Sequence, residues 1–195
     1  MHEIEPYYNW LNIYNPAEDN RSPYFGKEYN YDLYTETIYG YYIDPAWDYI
    51  GSETLYIKIL YADYELGYVI IEFIGEWNDA INNDIMNLKR NIIDHLLLQG
   101  ISKFILVGES VFNFHGSDDS YYEEWFEDVE DTDNYSTPGW IAAVNFADFV
   151  AQEFMNFNID SYLNMGGTLN ISNWRTMRPK QFCAMVDNLI VKRLN

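Results

Sequence analysis

The side chains best placed to do chemistry are carboxylates. From Phe104 to Trp174 there is no lysine or arginine, while thirteen aspartates and glutamates occur. They are densest in Ser120-Tyr121-Tyr122-Glu123-Glu124-Trp125-Phe126-Glu127-Asp128-Val129-Glu130-Asp131. Tyr122, Trp125, Phe126 and Val129 fall at the i, i+3, i+4, i+7 spacing of a helix with one apolar stripe. The other face then presents Glu123, Glu124, Glu127, Asp128, Glu130 and Asp131. Such a face reads as plain solvated surface, as a docking surface for a basic protein partner, or as a cation site. Docking is the functional reading, since complementary charge speeds encounter and selects a partner. Its contact residues would be Ser120, Tyr121, Glu124, Glu127, Asp128 and Asp131. A cation site would use Asp118, Asp119 and Glu123 with His115, because oxygen donors suit Ca²⁺ or Mg²⁺. That arrangement would make a divalent-cation-dependent hydrolase, but its spacing matches neither an EF-hand nor a HExxH helix.

Other chemistry finds little footing. His2, His95 and His115 are the only histidines, and His115 alone sits beside the acidic run as a candidate base. There is no GxSxG elbow, no dinucleotide fingerprint and no GK[ST] loop. No catalytic residue and no cofactor are assigned. The single cysteine, Cys183, lies on a helical pattern between Phe182 and Met185, with no histidine nearby in sequence. It reads as a buried side chain and fits a reducing compartment. The net charge of −20 speaks against nucleic acid and anionic membrane surfaces. No apolar run approaches the ~20 residues of a membrane span. Met1 to Pro6 has neither a basic start nor an apolar stretch, so a cytoplasmic location is expected.

The elements that must position these residues are organised by one β-α-β unit. Tyr68–Ile74 is a nearly continuous apolar run, as in a strand covered on both faces. Asn78 can cap a helix over Asp79–Gln99 whose stripe is Ile81, Ile85, Leu88, Ile92 and Leu96, widened by Ile93 and Leu97. Gly100 stands where a left-handed cap belongs, and Lys103–Val107 returns as a parallel strand. Gly108–Gly116 then reads as a loop at that strand's carboxyl end, where open α/β sheets bind ligands. Ser120 and Glu123 form a capping box for the acidic helix. Upstream, Thr54–Tyr61 alternates as a strand that hairpins into the unit. Downstream come a strand at Gly139–Val144, a helix turning Phe146, Phe149, Val150, Phe154 and Phe157 inward, and a short strand at Thr168–Ile171. The last helix opens at Pro179 and buries Phe182, Met185, Val186, Leu189 and Ile190.

The fold class expected is α/β: a mixed, largely parallel sheet of five or more strands with three or four helices. Residues 1–50 hold eleven of the nineteen tyrosines and read as an aromatic extension packed on an α/β domain of residues 51–195. Within the extension, Tyr29–Ile43 has strand propensity. Its aromatic surface also offers a route to a homo-oligomer, since tyrosine is enriched at interfaces.

The order strand, helix, strand, acidic helix, strand, helix, strand, helix from Tyr68 to Leu194, with the preceding hairpin strand, resembles the STAS fold of anti-anti-sigma factors and SpoIIAA-like proteins. The likeness covers about two-thirds of the chain. It implies a layered architecture and, in signalling members, a phosphorylated serine within Asp-Ser-Ser-Gly at the start of a helix. Asp119-Ser120-Tyr121-Tyr122 occupies that place, without the second serine or the glycine. The leading function is therefore a non-enzymatic protein-interaction or regulatory module that uses the acidic helix. The alternatives are the cation-dependent hydrolase and a protein binding a small apolar ligand.

Overall fold

The computed structural model describes residues 4–131 and 138–194. In chain order, β1 (Thr37–Ile38) and β2 (Tyr41–Tyr42) form a small antiparallel hairpin. β3 (Asp48–Tyr49), β4 (Leu55–Asp63) and β5 (Tyr68–Asn78) lead into short helices α1 (Asp79–Asn82), α2 (Asp84–Leu88) and α3 (Asp94–Leu98). Then come β6 (Lys103–His115), α4 (Ser120–Glu130), β7 (Trp140–Val144), α5 (Asp148–Asn156), β8 (Asn164–Met165) and α6 (Pro179–Leu194). The main sheet runs β3-β4-β5-β6-β7-β8, so each strand lies beside its neighbour in sequence. The first two pairings are antiparallel and the last three parallel. The chain is α/β, with a six-stranded, mostly parallel mixed sheet. Among the described residues no helix is long and apolar enough to cross a membrane.

Alternation along the strands divides the core in two. Ile57, Ile71, Phe73 and Leu106 face α2, α4 and α5, where Leu88, Trp125 and Phe154 meet them. Ile70, Ile105 and Val107 face the other way, against Trp10 of the N-terminal segment and Phe182, Val186 and Ile190 of α6. The N-terminal fifty residues are tied to this second face, through the Tyr7 amide on Glu72 (2.8 Å) and the Trp10 indole on the Met177 carbonyl (3.0 Å). They also contribute β3 to the main sheet, so a boundary at residue 50 cuts through a strand pairing.

Several local expectations are corrected. The strand at Tyr68 does not stop at Gly75; it continues to Asn78. Gly75 has φ +118°, and a Cβ there would lie 1.9 Å from the Thr54 carbonyl oxygen. The glycine permits a close strand approach next to register shifts, rather than marking an end. The segment Gly108–Gly116, expected as a loop, is strand to His115, with Val111 and Phe114 buried. Two bulges against β5 blur the alternation that would have announced it.

The single helix expected over Asp79–Gln99 is broken. Asn78 does cap it, accepting the Ile81 amide (3.0 Å), but Asn83 is left-handed (φ 54°) and separates α1 from α2. The break turns the Asp79 and Asp84 side chains inward onto the amides of Ile85 and Asn78. Ile81, expected on the buried stripe, is 83% exposed, and the stripe begins at Ile85. A π-helical turn over Lys89–Ile93 follows and buries both Ile92 and Ile93. After α3 the chain closes as expected on Gly100 (φ +91°), with Ile101 and Gly100 amides donating to the Leu96 and Leu97 carbonyls.

Phe149 is 60% exposed and Met185 37%, so neither joins the core. Thr168–Ile171 is not a strand. Gly167–Leu169 is a 3₁₀ turn, and the Asn145 side chain pairs with the Ile171 N–H and C=O, taking the place of a strand partner. Most of Tyr29–Ile43 is loop, apart from the β1–β2 hairpin.

Candidate functional site

α4 is held to the sheet by the residues its spacing predicts. Tyr122, Trp125 and Val129 are fully buried, and Phe126 is half-buried. Trp125 meets Phe104 edge-on at 5.1 Å. The Tyr122 hydroxyl donates to Asp79 (2.7 Å), joining α4 to the start of α1. The expected capping box does not form. Asp119 holds the N-cap position without a side-chain capping bond, and the Ser120 hydroxyl donates to Asp118 instead. Asp118 also accepts the Ser120 amide (3.1 Å), so a turn at Asp118 starts the helix one residue earlier than the box requires. These bonds to Ser120 hold the Asp118 carboxyl below its ordinary range.

The acidic face is partly neutralised by residues remote in sequence. The Arg90 guanidinium grips Glu124 with two bonds (2.6 and 2.8 Å) and reaches Asp94 (3.0 Å). Its Cζ lies 5.3 Å from the Tyr121 ring centre. Lys89, 1% exposed, extends its ammonium to Asp128 (2.7 Å), to Glu124 (3.3 Å) and to Asp94. Burial alone would lower the Lys89 pKa, but its bonds to Asp128 and Asp94 outweigh this and raise it. The bonds from Arg90 draw the Glu124 carboxyl down. Of the six residues expected to contact a partner, Glu124 and Asp128 are thus already paired, and Tyr121 is half-covered beneath Arg90. Ser120, Glu127 and Asp131 are exposed. With Glu123 and Glu130 beside them, Glu127 and Asp131 form an outer ridge with no ion pair among the described residues.

The residues expected for a cation site are not brought together. His115 Nε2 lies 3.7 Å from Glu76 and 3.1 Å from the Asn113 amide. Asp119 accepts from the Tyr162 hydroxyl (3.3 Å), while Asp118 is turned to Ser120 and Glu123 is exposed. The carboxylates that do converge, among the described residues, are Asp94, Glu124 and Asp128, with oxygens within 4.8 Å of one another. The Lys89 ammonium bonds all three, so it stands where a cation would.

Comparison with known proteins brings no relative to bear on these sites. No family model matches the chain, and no curated protein or solved structure matches it either.

Buried carboxylates on both faces of the sheet escaped the sequence reading. On the second face, Glu72 is 3% exposed; it accepts the Tyr7 amide and lies 3.6 Å from Arg175. The other arm of Arg175 pairs with Glu109 (2.5 Å), which also accepts from the Trp174 indole (2.8 Å) and the Asn145 amide (3.0 Å). Burial pushes the Glu72 carboxyl up to about 7, against the pull of Tyr7 and Arg175. The signal was visible: Glu72 is the one carboxylate inside the apolar run Tyr68–Ile74. On the helix face, Asp79 accepts from the Trp77 indole (3.0 Å), the Ile85 amide (2.8 Å) and the Tyr122 hydroxyl. Burial lifts Asp79 to about 7 and Asp84 to about 6. Nothing local distinguishes these two from ordinary first-turn acids. Cys183 is buried as expected, and burial raises its thiol to about 12, far from a reactive thiolate.

Proposed function

We propose that the protein is a non-enzymatic interaction module that binds a basic protein partner across the outer face of α4. The observation that supports this reading is the ridge of Glu123, Glu127, Glu130 and Asp131 on a chain of net charge −20. Lys89 and Arg90 fix the inner row of acids and leave the outer row for a partner. Facing charges of opposite sign steer encounter and fix register more than they add affinity, so binding should fall with salt. The resemblance to STAS domains belongs to the same proposal, supported by element order. In it, exposed Ser120 is the position a regulatory phosphate would take, although Asp118 already engages its hydroxyl. Capture from a native lysate, with wild type and a Glu127→Lys/Asp131→Lys variant at low and high salt, tests the reading. Basic proteins should be retained by wild type and lost with the variant or with salt. Partners held equally by both proteins at high salt would reject it.

A second reading is favoured by one specific feature. A cavity of about 150 Å³ lies beneath the β1–β2 hairpin, lined by Ile4, Ile38, Tyr41, Tyr42, Ile74 and Phe112. It has the apolar lining a small hydrophobic ligand requires. Tyr39, Tyr41 and Tyr42 around it are 58%, 65% and 45% exposed, which also makes this the surface through which two copies would associate. Environment-sensitive dye binding, competed by small apolar ligands and read beside sedimentation, separates the ligand from the dimer.

A further inference from the structure

We propose that a second cavity, beside edge strand β3, is a binding site for an organic cation: an ammonium or guanidinium group on an uncharged stem. The cavity holds about 200 Å³. Tyr29, Trp47, Tyr49 and Tyr56 are among its lining residues, with three acids, Glu28, Glu36 and Asp44, and one base, Lys27. Ring faces attract cations, most strongly where water is displaced. This wall already does so with the protein's own side chains. The Lys58 ammonium lies 4.0 Å from the Tyr29 ring centre and that of Lys27 lies 4.9 Å from it.

The charge balance says which sign of ligand is missing. Lys27 and Lys58 both bond to fully buried Asp48, at 2.7 and 3.2 Å. Glu28, Glu36 and Asp44 make no ion pair among the described residues, so two cations stand among four carboxylates. The Glu36 carboxylate accepts the Tyr56 hydroxyl (3.0 Å) and no other donor among the described residues. Asp44 is the most telling, being 6% exposed. Its Oδ1 accepts from the Tyr8 hydroxyl and the Ala46 amide, both at 2.8 Å, while no donor among the described residues reaches Oδ2. That oxygen is not sealed from solvent, and a charge-assisted bond from a cation is a stronger partner for it than water. An anion would meet the three carboxylates with both lysines already engaged.

This site is independent of the α4 ridge. Tyr56 packs with Ile38, Trp47 and Ile74 in a small cluster of its own, whereas its neighbours Leu55 and Ile57 face the helices that carry α4. The occupant is therefore a different molecule, or a different part of one, from whatever meets the acidic helix.

Titration calorimetry on the full chain with three probes of similar shape tests the proposal: n-butylguanidinium, its neutral counterpart n-butylurea, and n-butylsulfonate. The guanidinium should bind at least tenfold more tightly than the urea, and the sulfonate should give no binding. Asp44→Asn should weaken guanidinium binding tenfold or more, and Glu36→Gln several-fold. Asp44 also supports a turn, so Glu36→Gln, at an exposed position, carries the test if the first variant does not fold. Glu127→Lys should leave binding unchanged, which keeps this result separate from the fate of the α4 reading. Absence of heat with the guanidinium, equal binding of the urea, preference for the sulfonate, or insensitivity to Glu36→Gln in a folded protein would each overturn it.

Discussion

Replacing Glu72 by glutamine should remove a pH-dependent load from the fold. The carboxyl titrates near 7 in the folded protein against an ordinary 4.5, because burial outweighs the Tyr7 amide and the Arg175 charge, and nearby Glu109 adds to the rise. Below the unfolded pKa the group is protonated in both states and costs nothing. As pH rises from 4.5 to about 7, the unfolded chain releases its proton first, so folding stability falls. Each unit of difference is worth about 1.4 kcal/mol, so the loss attributable to this one group is roughly 3 kcal/mol by pH 8. Glutamine keeps an acceptor for the Tyr7 amide and carries no charge, though it forfeits the pairing with Arg175. Urea denaturation of wild type and Glu72→Gln between pH 4 and 8 measures the difference directly. The wild-type curve should fall more steeply by roughly 3 kcal/mol over that interval, with the variant overtaking it near neutrality. Asp79 and Asp84 slope the same way in both proteins and cancel in the comparison. Parallel pH profiles would show that Glu72 is no more reluctant to ionise when folded, and the burial argument would fail.

Three further outcomes follow from single contacts. Lys89→Ala should leave Asp94, Glu124 and Asp128 converging without their ammonium; it should lower the melting temperature and create a response to added Ca²⁺ or Mg²⁺ in a thermal-shift series, with wild type unresponsive. Gly75→Ala should cost ~3 kcal/mol or more in chemical denaturation, since a new Cβ would collide with the Thr54 carbonyl at an unfavourable φ; a loss below ~1 kcal/mol would mean the strands part easily there. Tyr122→Phe removes the hydroxyl that α4 gives to Asp79. It should cost about 1–3 kcal/mol and speed hydrogen exchange across α4 more than across α6.

The parts of this fold that were legible share one property: a residue's own neighbours in sequence decided them. Tyr68–Ile74, Lys103–Val107 and the Tyr122–Trp125–Val129 stripe needed nothing beyond apolar spacing, and the Asn78 and Gly100 caps nothing beyond local backbone chemistry. The misread places are those where a distant group changes what a residue is for. Gly75 looked like a terminator until the Thr54 carbonyl stood against it. Asp79 looked like a helix-starting acid until Trp77 and Tyr122 gave it a buried seat, which broke the helix at Asn83. The strand at Gly108–His115 was hidden by bulges that shift its register against β5. The partial neutralisation of the acidic run was out of sight for the same reason, because Lys89 and Arg90 belong to a different element.

That compensation bears on what the remaining charge is for. At least eight of the eleven lysines and arginines are held in ion pairs, several with buried or half-buried acids such as Asp48, Glu72 and Asp94. Lys58 and Lys89 are themselves almost fully buried, so neither can swing out to meet a new carboxylate. The chain has therefore committed most of its positive charge to fixed internal positions. Among the described residues, the outer row of α4 and the three carboxylates around the β3 cavity have no ion-pair partner. At moderate salt such sites are screened by mobile ions, and a fixed cation of the right shape gains by displacing them. Both proposals therefore call for positive partners, at places on opposite faces of one sheet.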